Sequence, residues 1–418
     1  MYSQKNLSIS DALSKSAHPF VFLILILPFG IMTGYLTVTL AYLFTKAGVS
    51  FEQIAGLVAA SLIPQLFKFI WAPLVDVSLS VKKWYILSTL VSAACILGTC
   101  IIPVKIASVP LLTILIIVSN FAVSFVATAV NSLSAYDTPE HLKGRVSGYV
   151  QAGNMGGAGV GGGLGLWFTQ HLSAVWMAGA ILAFICALCC AGLFFVKEPK
   201  VTVRVKAMGK TMNNVLKDVW QTVKTQMGLL ALIIVLLPTG TCAASTLFAA
   251  FAKDWKANAD VVALVTGVLG GLITGLGSLA GGWVCDKIDR KLSYLLFGLL
   301  QAACAAGMAF FPHTNEMYII WTLLYSITAG MAYAGYNAVT LEAIGKGAAA
   351  TKFEVYASIS NAPIYIVTFI EGIVYTKWGA NGLLNTEALL ACASFALFFT
   401  LKAILNRRKS VTLAIEQA

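Results

Sequence analysis

Two ionisable side chains lie inside long apolar stretches, where either could do chemistry. Lys68 sits in Gln65-Leu66-Phe67-Lys68-Phe69-Ile70-Trp71, and Glu371 in Thr368-Phe369-Ile370-Glu371-Gly372-Ile373. A lysine ammonium facing a low-dielectric cavity attracts an anionic ligand. A carboxyl in the same setting favours its neutral form, so Glu371 could take a proton on one side of a membrane and release it on the other. Each also has an ordinary reading. Lys68 could snorkel towards head groups across the ~12 Å of helix that separates it from Asp76. Glu371 could be an interfacial acid beside Lys377. Asp76 and Asp286 each close an apolar run and precede bases, a pattern suited to charge-assisted hydrogen bonding. The four histidines (His18, His141, His171, His313) are scattered, and no HExxH, GxSxG or phosphate-loop pattern occurs, which argues against an enzyme, a metal centre or a bound cofactor. Cys186, Cys189 and Cys190 share one apolar segment without His or carboxylate company and read as small apolar residues.

The elements that must hold these residues are membrane helices. Of the 418 residues 59% are apolar and 11% charged, against roughly 25% charged in soluble proteins. Soluble, disordered and fibrous classes are thereby excluded. The apolar runs are continuous and lack the period-two alternation of a barrel. At about 20 residues per crossing, the pattern predicts an all-α membrane protein with twelve spans, from 19–45 and 53–75 through a seventh at 227–252 to 353–376 and 385–406. The net charge of +11 is explained by location. Of the 28 Lys and Arg, five (Lys46, Lys105, Lys253, Lys256, Lys377) fall on odd-numbered connections and Lys68 within a span, leaving the rest on the other side. That asymmetry predicts a multi-pass membrane protein with both termini in the cytoplasm. The partners expected are the lipid bilayer and a small-molecule substrate, with no nucleic acid, and the chain is read as a monomer. The polar residues before the first span show no cleavable signal.

The chain divides at its longest polar stretch, 197–226, into 1–196 and 227–418. That stretch reads as a cytoplasmic connector with an amphipathic helix on the membrane surface. The flanking halves echo each other. Pro28-Phe29-Gly30 matches Pro238-Thr239-Gly240, and Asp76 matches Asp286, both 210 residues on. Arg145, Tyr149 and Asn154 match Lys352, Tyr356 and Asn361, 207 residues on. A nearly shared offset predicts two pseudo-symmetric six-helix bundles.

The loop after the eighth span, Gly282-Trp283-Val284-Cys285-Asp286-Lys287-Ile288-Asp289-Arg290-Lys291, resembles the signature of the major facilitator superfamily (MFS), with Asp289 where the family has Gly. Its first-half counterpart is degenerate: Ala72 fills the Gly slot, Val77 replaces the base, and Lys82-Lys83 follow at looser spacing. The resemblance implies an MFS fold with two cytoplasmic latches, Asp286 with Arg145 and Asp76 with Lys352, made when the transporter faces outward; Lys287, Arg290 and Lys291 complete the gating set. It also implies a cavity lined by the first, fourth, seventh and tenth spans. The candidate substrate-binding residues are Tyr35, Asn120, Tyr333, Tyr336 and Asn337 there, Gln65 and Lys68 on the second span, and Gln151, Asn154, Tyr356 and Asn361 on the fifth and eleventh. Glu371, the only acid clearly inside an expected span, is the candidate proton-coupling residue.

Within the superfamily, Lys68-Phe69-Ile70-Trp71-Ala72-Pro73-Leu74-Val75-Asp76 is similar to an element of the AmpG-like branch, which includes muropeptide permeases, related siderophore permeases and acetyl-CoA transporters. The resemblance implies proton-coupled uptake, by alternating access, of a bulky and often anionic solute. The alternative is a proton-driven efflux antiporter. The glycines of the fifth span (Gly148, Gly157, Gly161, Gly165) partly match an antiporter signature, although its Pro is Gly162 here and the fourth span lacks the Arg of such exporters.

Overall fold

The computed structural model describes residues 16–49, 57, 64, 65, 67–198, 208–345 and 348–416. All regular structure among these residues is helical. We number the membrane helices by span: α1 Pro19–Lys46, α3 Val81–Ile101, α4 Val109–Asp137, α6 Val175–Phe195, α8 Asp260–Cys285, α9 Arg290–Phe310 and α10 Asn315–Ile344, each long and apolar enough to cross a bilayer. The helical run Ala349–Glu416 is two helices. Gly379, at φ 66°, breaks it into α11 (349–378) and α12 (380–416). Only the last part of the second span, α2 (Lys68–Val77), is described as a continuous helix, so the expected start of that span lies outside the described residues. α5 runs from Lys143–Gly159 through Val160–Leu164 to Gly165–His171. The architecture accords with twelve spans.

The seventh span departs from the continuous 227–252 helix expected. α7 (Gln226–Leu236) ends at Leu237, whose ψ of 140° is extended, because Pro238 disfavours helical geometry in the residue before it. Gly240 and Cys242 then take left-handed backbone, and the chain continues in short turns to Trp255. Pro28, its first-half counterpart, lies within an unbroken α1. The two members of that sequence repeat therefore fold differently.

Glycine spacing explains α5, which lies between α1 and α8. On one face, a Cβ at Gly161 would come within 1.9 Å of the Ile31 carbonyl oxygen; on another, a Cβ at Gly148 would come within 2.5 Å of the Ser278 carbonyl oxygen. Small residues let the backbones touch, and in lipid such van der Waals packing is a main source of helix association. Both α1 and α5 carry a wide π-helical turn at this contact (Tyr35–Leu40 and Val160–Leu164), and Thr39 Oγ1 donates to the Gly161 and Gly162 carbonyls at 2.9 and 3.0 Å. The contact of α5 with α8 joins the two halves of the chain, as does that of α2 with α11.

The polar stretch between the halves contains a helix, Met208–Lys224, that meets α7 at an 82° bend. Leu216 and Trp220 are exposed, whereas Val215 and Thr222 are buried. The helix thus packs on the bundle by one face and presents apolar side chains on another, as a surface-lying helix does.

Replacing Gly161 by Val is expected to destabilise the protein by about 2 kcal/mol or more, because backbone rather than a flexible side chain stands in the way. Gly163→Ala, where a Cβ would meet nothing within 4 Å, is expected to be neutral. Thermal unfolding of the purified protein checks the contrast, and equal melting temperatures for the two variants would refute the packing account.

Candidate substrate cavity and its latches

A cavity of about 290 Å³ lies between the halves. Of the residues singled out from the sequence, Gln65, Lys68, Gln151, Asn154, Tyr333, Tyr336, Asn337 and Asn361 line it, together with Asn131, Thr241 and Ser360. Its wall is mixed: Ile26, Phe29, Leu237, Tyr294 and Phe353 supply apolar and aromatic surface. Aromatic surface with scattered amides suits a ligand that both stacks and hydrogen-bonds.

Three expected members are elsewhere. Tyr35 is buried, with its hydroxyl 2.8 Å from Thr99 Oγ1 and 3.2 Å from Cys100 Sγ on α3. Asn120 donates to the Ile116 carbonyl at 3.0 Å on its own helix. Tyr356 donates to the Gly228 carbonyl at 2.9 Å, tying α11 to α7. All three serve as interhelical or intrahelical bonds. Their spans border the cavity, but the helical phase of each residue turns it away, and span membership alone does not reveal phase.

Lys68, which lines the cavity, is held in an ion pair. Lys68 Nζ lies 2.7 Å from a carboxylate oxygen of Glu354, with 13% and 0% of the two side chains exposed. Thr128 Oγ1 and Asn131 Nδ2, both from α4, donate to the other oxygen at 3.2 Å each. A lone buried charge is very costly, and one with a partner and hydrogen bonds is tolerated. The pair joins α2 to α11 across the two halves. Glu354 was not foreseen, because it stands at the edge of the expected eleventh span. The signal was present nonetheless: a lysine committed to an apolar wall requires a counter-ion nearby.

Glu371 was expected to be the only acid clearly inside a span, and that expectation is corrected. Glu354 on α11 and Glu387 on α12 are also buried. Glu371 is fully buried, is not among the residues lining the central cavity, and has no hydrogen-bond partner for either carboxyl oxygen among the described residues.

The latch geometry differs between the halves. Asp286 follows α8 and accepts from the backbone amides of Gly144 and Arg145 at 2.8 and 3.1 Å, with Arg145 Nε at 3.3 Å. The carboxylate thus caps the start of α5, where unpaired amides and the helix dipole favour a negative charge. Burial pushes the Asp286 carboxyl up from its ordinary range, opposed by those two amides and by the Arg145 charge. Asp76 caps α11 in the same way, but the expected pairing with Lys352 does not form. Asp76 accepts from the Thr351 amide and hydroxyl at 2.8 and 2.7 Å and from the Ala350 amide at 3.3 Å. The Lys352 ammonium instead reaches Asp218 on the connector helix at 2.8 Å and the Ile344 carbonyl at 3.2 Å. Successive helical side chains diverge by about 100°, so Thr351 faces Asp76 and Lys352 turns to the connector.

A charge network lies beside the Asp286 latch. Lys291 pairs with Glu342 at 2.8 Å, Lys143 with Glu140 at 2.8 Å, and Arg290 bonds Glu140 through side chain and carbonyl. Burial works against ionisation of Glu140, but Lys143 and Arg290 outweigh it and hold its carboxyl below the usual range. Lys287 is exposed.

Residues 21–368 match the family model described as Major Facilitator Superfamily. The chain belongs to the major facilitator superfamily. It is therefore a multi-pass membrane transporter rather than an enzyme. This MFS protein is 26% identical over 210 residues to the anhydromuropeptide permease of Escherichia coli, a match covering 48% of the chain and 42% of that permease. The matched region thus spans under half the length of that relative. In fold it is similar to the fucose:proton symporter of E. coli (TM-score 0.68, 16% identity, 91% of this chain and 98% of that one). It is also similar to the human organic anion transporter MFSD10 (TM-score 0.69, 14% identity, again 91% and 98%).

Charge reversal, Asp286→Lys, is expected to abolish most transport while leaving membrane insertion intact, since it places a cation against the start of α5. Transport assays beside quantification of membrane-inserted protein check this, and full activity would remove the latch.

Proposed function

We propose that this transporter carries a bulky, hydrogen-bonding anionic solute by alternating access, coupled to protons and directed inward across the bacterial inner membrane with both termini in the cytoplasm. The observation that carries the reading is the Lys68–Glu354 pair, whose lysine lines the cavity between the halves. Lys68 is the anchor for the anionic group. Glu354 balances that charge while the site is empty, and the cavity amides Gln65, Gln151, Asn154, Asn337 and Asn361 bind the uncharged remainder. Glu371 is the proton-coupling carboxyl in this reading. The latches at Asp76 and Asp286, with Arg145, Arg290, Lys291 and Lys352 around them, gate the cytoplasmic mouth.

Similarity to the anhydromuropeptide permease supports a sugar-peptide solute bearing carboxylates, and siderophores share that combination of size and charge. A cavity of about 290 Å³ is at the small end of ligand sites, which run from about 300 to 1,000 Å³. With the latches closed it suits the anionic portion of such a molecule, and opening of a mouth would admit the rest.

Two measurements test the reading. An anhydromuropeptide with a free peptide carboxylate should raise the melting temperature of the purified protein, because a ligand that binds only the fold stabilises it. Lys68→Gln should destabilise the protein by about 3–5 kcal/mol, since it leaves Glu354 unpaired. The Lys68→Gln/Glu354→Gln double variant should recover most of that stability yet bind the solute at least about tenfold more weakly, the loss of one charged hydrogen bond being worth about 1.5–3 kcal/mol. Native affinity in the double variant would refute Lys68 as the anchor. Direction follows from uptake into right-side-out and inverted vesicles under an imposed proton gradient; accumulation only in the inverted vesicles would mark an exporter.

A further inference from the structure

A second cavity, of about 250 Å³, lies between α8, α10 and the segment after α7, with Met155 of α5 at its edge. Glycines on α8 make room for it. Gly267, Gly270 and Gly271 form part of its wall, and a Cβ at Gly267 or Gly271 would meet nothing within 4 Å. Thr266 and Gly267 stand in a π-helical turn, Ala263–Val268, a local widening of the kind that recurs at functional sites.

The lining differs in kind from that of the central cavity. None of the described residues on this wall is charged, and apart from Cys242 its polar side chains are hydroxyls. Ser245, Thr266, Thr274 and Ser326 donate their protons to backbone carbonyls of their own segments, at 2.6, 2.7, 2.7 and 2.9 Å. Tyr325 donates to Glu387 at 2.5 Å. A hydroxyl whose proton is committed still has a lone pair to offer, so these groups present acceptor oxygens to a guest. Thr322 also lines the cavity; it is 1% exposed, and its hydroxyl has no partner among the described residues. A buried hydroxyl left unbonded carries a desolvation cost that a guest would relieve. Acceptor oxygens without a charge favour a neutral ligand rich in O–H and N–H donors, and Phe248, Tyr325 and Tyr333 supply aromatic surface for its carbon face.

The two cavities follow one another along α10. Thr322, Tyr325, Ser326 and Ala329 line the second, Tyr336 and Asn337 line the central one, and Tyr333 lines both. Thr322 and Asn337 are separated by roughly 22 Å of helix. The central cavity alone falls short of the lower bound of about 300 Å³ for ligand sites, and the two together pass it. We propose that the second cavity is a subsite for a neutral, hydroxyl-bearing ring of the transported solute, with Tyr333 as the wall it shares with the Lys68 cavity. This assignment deepens the proposed function, and it rests on that reading only for the link between the ring and the anionic group on Lys68.

Saturation-transfer NMR on the purified full-length protein tests it with N-acetylglucosamine, a single neutral ring bearing hydroxyl and amide donors. The native protein should bind this probe, and the Lys68→Gln/Glu354→Gln variant should bind it equally well, because no charge takes part. Gly271→Phe, which fills the cavity from a position with open space around it, should abolish binding. Thr322→Val should weaken it; that change removes only an unbonded hydroxyl, so the variant should keep the native melting temperature and decide the matter if Gly271→Phe fails to fold. Absence of binding to the native protein would overturn the proposal, as would binding that both cavity variants leave unchanged. Binding lost in the Lys68→Gln/Glu354→Gln variant would also overturn it, by placing the ring in the central cavity. So would a rise in melting temperature when sodium replaces choline at constant ionic strength, if Gly271→Phe removes it, because that would mark a cation site. The probe carries no anionic group, so failure here leaves the Lys68 binding test unaffected, and failure of that test leaves the binding of the neutral ring in place.

Discussion

The organising constraint is that an apolar interior tolerates a formal charge only beside its opposite or within a fan of hydrogen-bond donors. Each buried ion in the described part of this transporter meets that condition in its own way. Lys68 and Glu354 neutralise one another across the interface between the halves. Asp286 and Asp76 are held by the free amides of helix starts on the opposite half. Every one of these contacts joins residues from both halves, so the charge requirement that permits burial also holds the halves together. Breaking a contact exposes a charge that needs water, and an opening mouth is where water becomes available.

Composition and periodicity made the membrane fold legible, since so few charges cannot coat a soluble surface. The half-repeat made the latch carboxylates legible, because Asp76 and Asp286 recur at the same offset. Partners were harder to read. Asp286 meets Arg145 as the motif implies, yet Asp76 meets Thr351, because the choice between neighbouring residues depends on helical phase and a shift of one residue is not visible in a pattern match. The same limit separates Asn154 and Asn337, which reach the cavity, from Tyr35 and Asn120, which do not. Glu354 and Glu387 were missed for a different reason. Both lie near helix ends in the sequence, where an acid reads as interfacial, and only tertiary packing buries them.

The connector is more closely engaged than its polar composition suggested. Asp218 takes the ammonium of Lys352, the residue next to the one that holds Asp76. The start of α11 is therefore gripped twice, by α2 through its amides and by the connector helix through its side chain. The connector helix and α2 thus meet α11 at neighbouring residues, Lys352 and Thr351.

The unwound stretch from Leu237 to Cys242 gives the seventh span a break that its first-half counterpart α1 does not have. α1 keeps a continuous helical backbone through Pro28 and its π-helical turn, whereas the seventh span leaves helical geometry at Leu237. Carbonyls freed there, such as that of Thr239, which accepts from the Tyr294 hydroxyl at 2.8 Å, can exchange one donor for another at little cost. The seventh span and its sequence counterpart α1 thus share a Pro-x-Gly motif but not a backbone path.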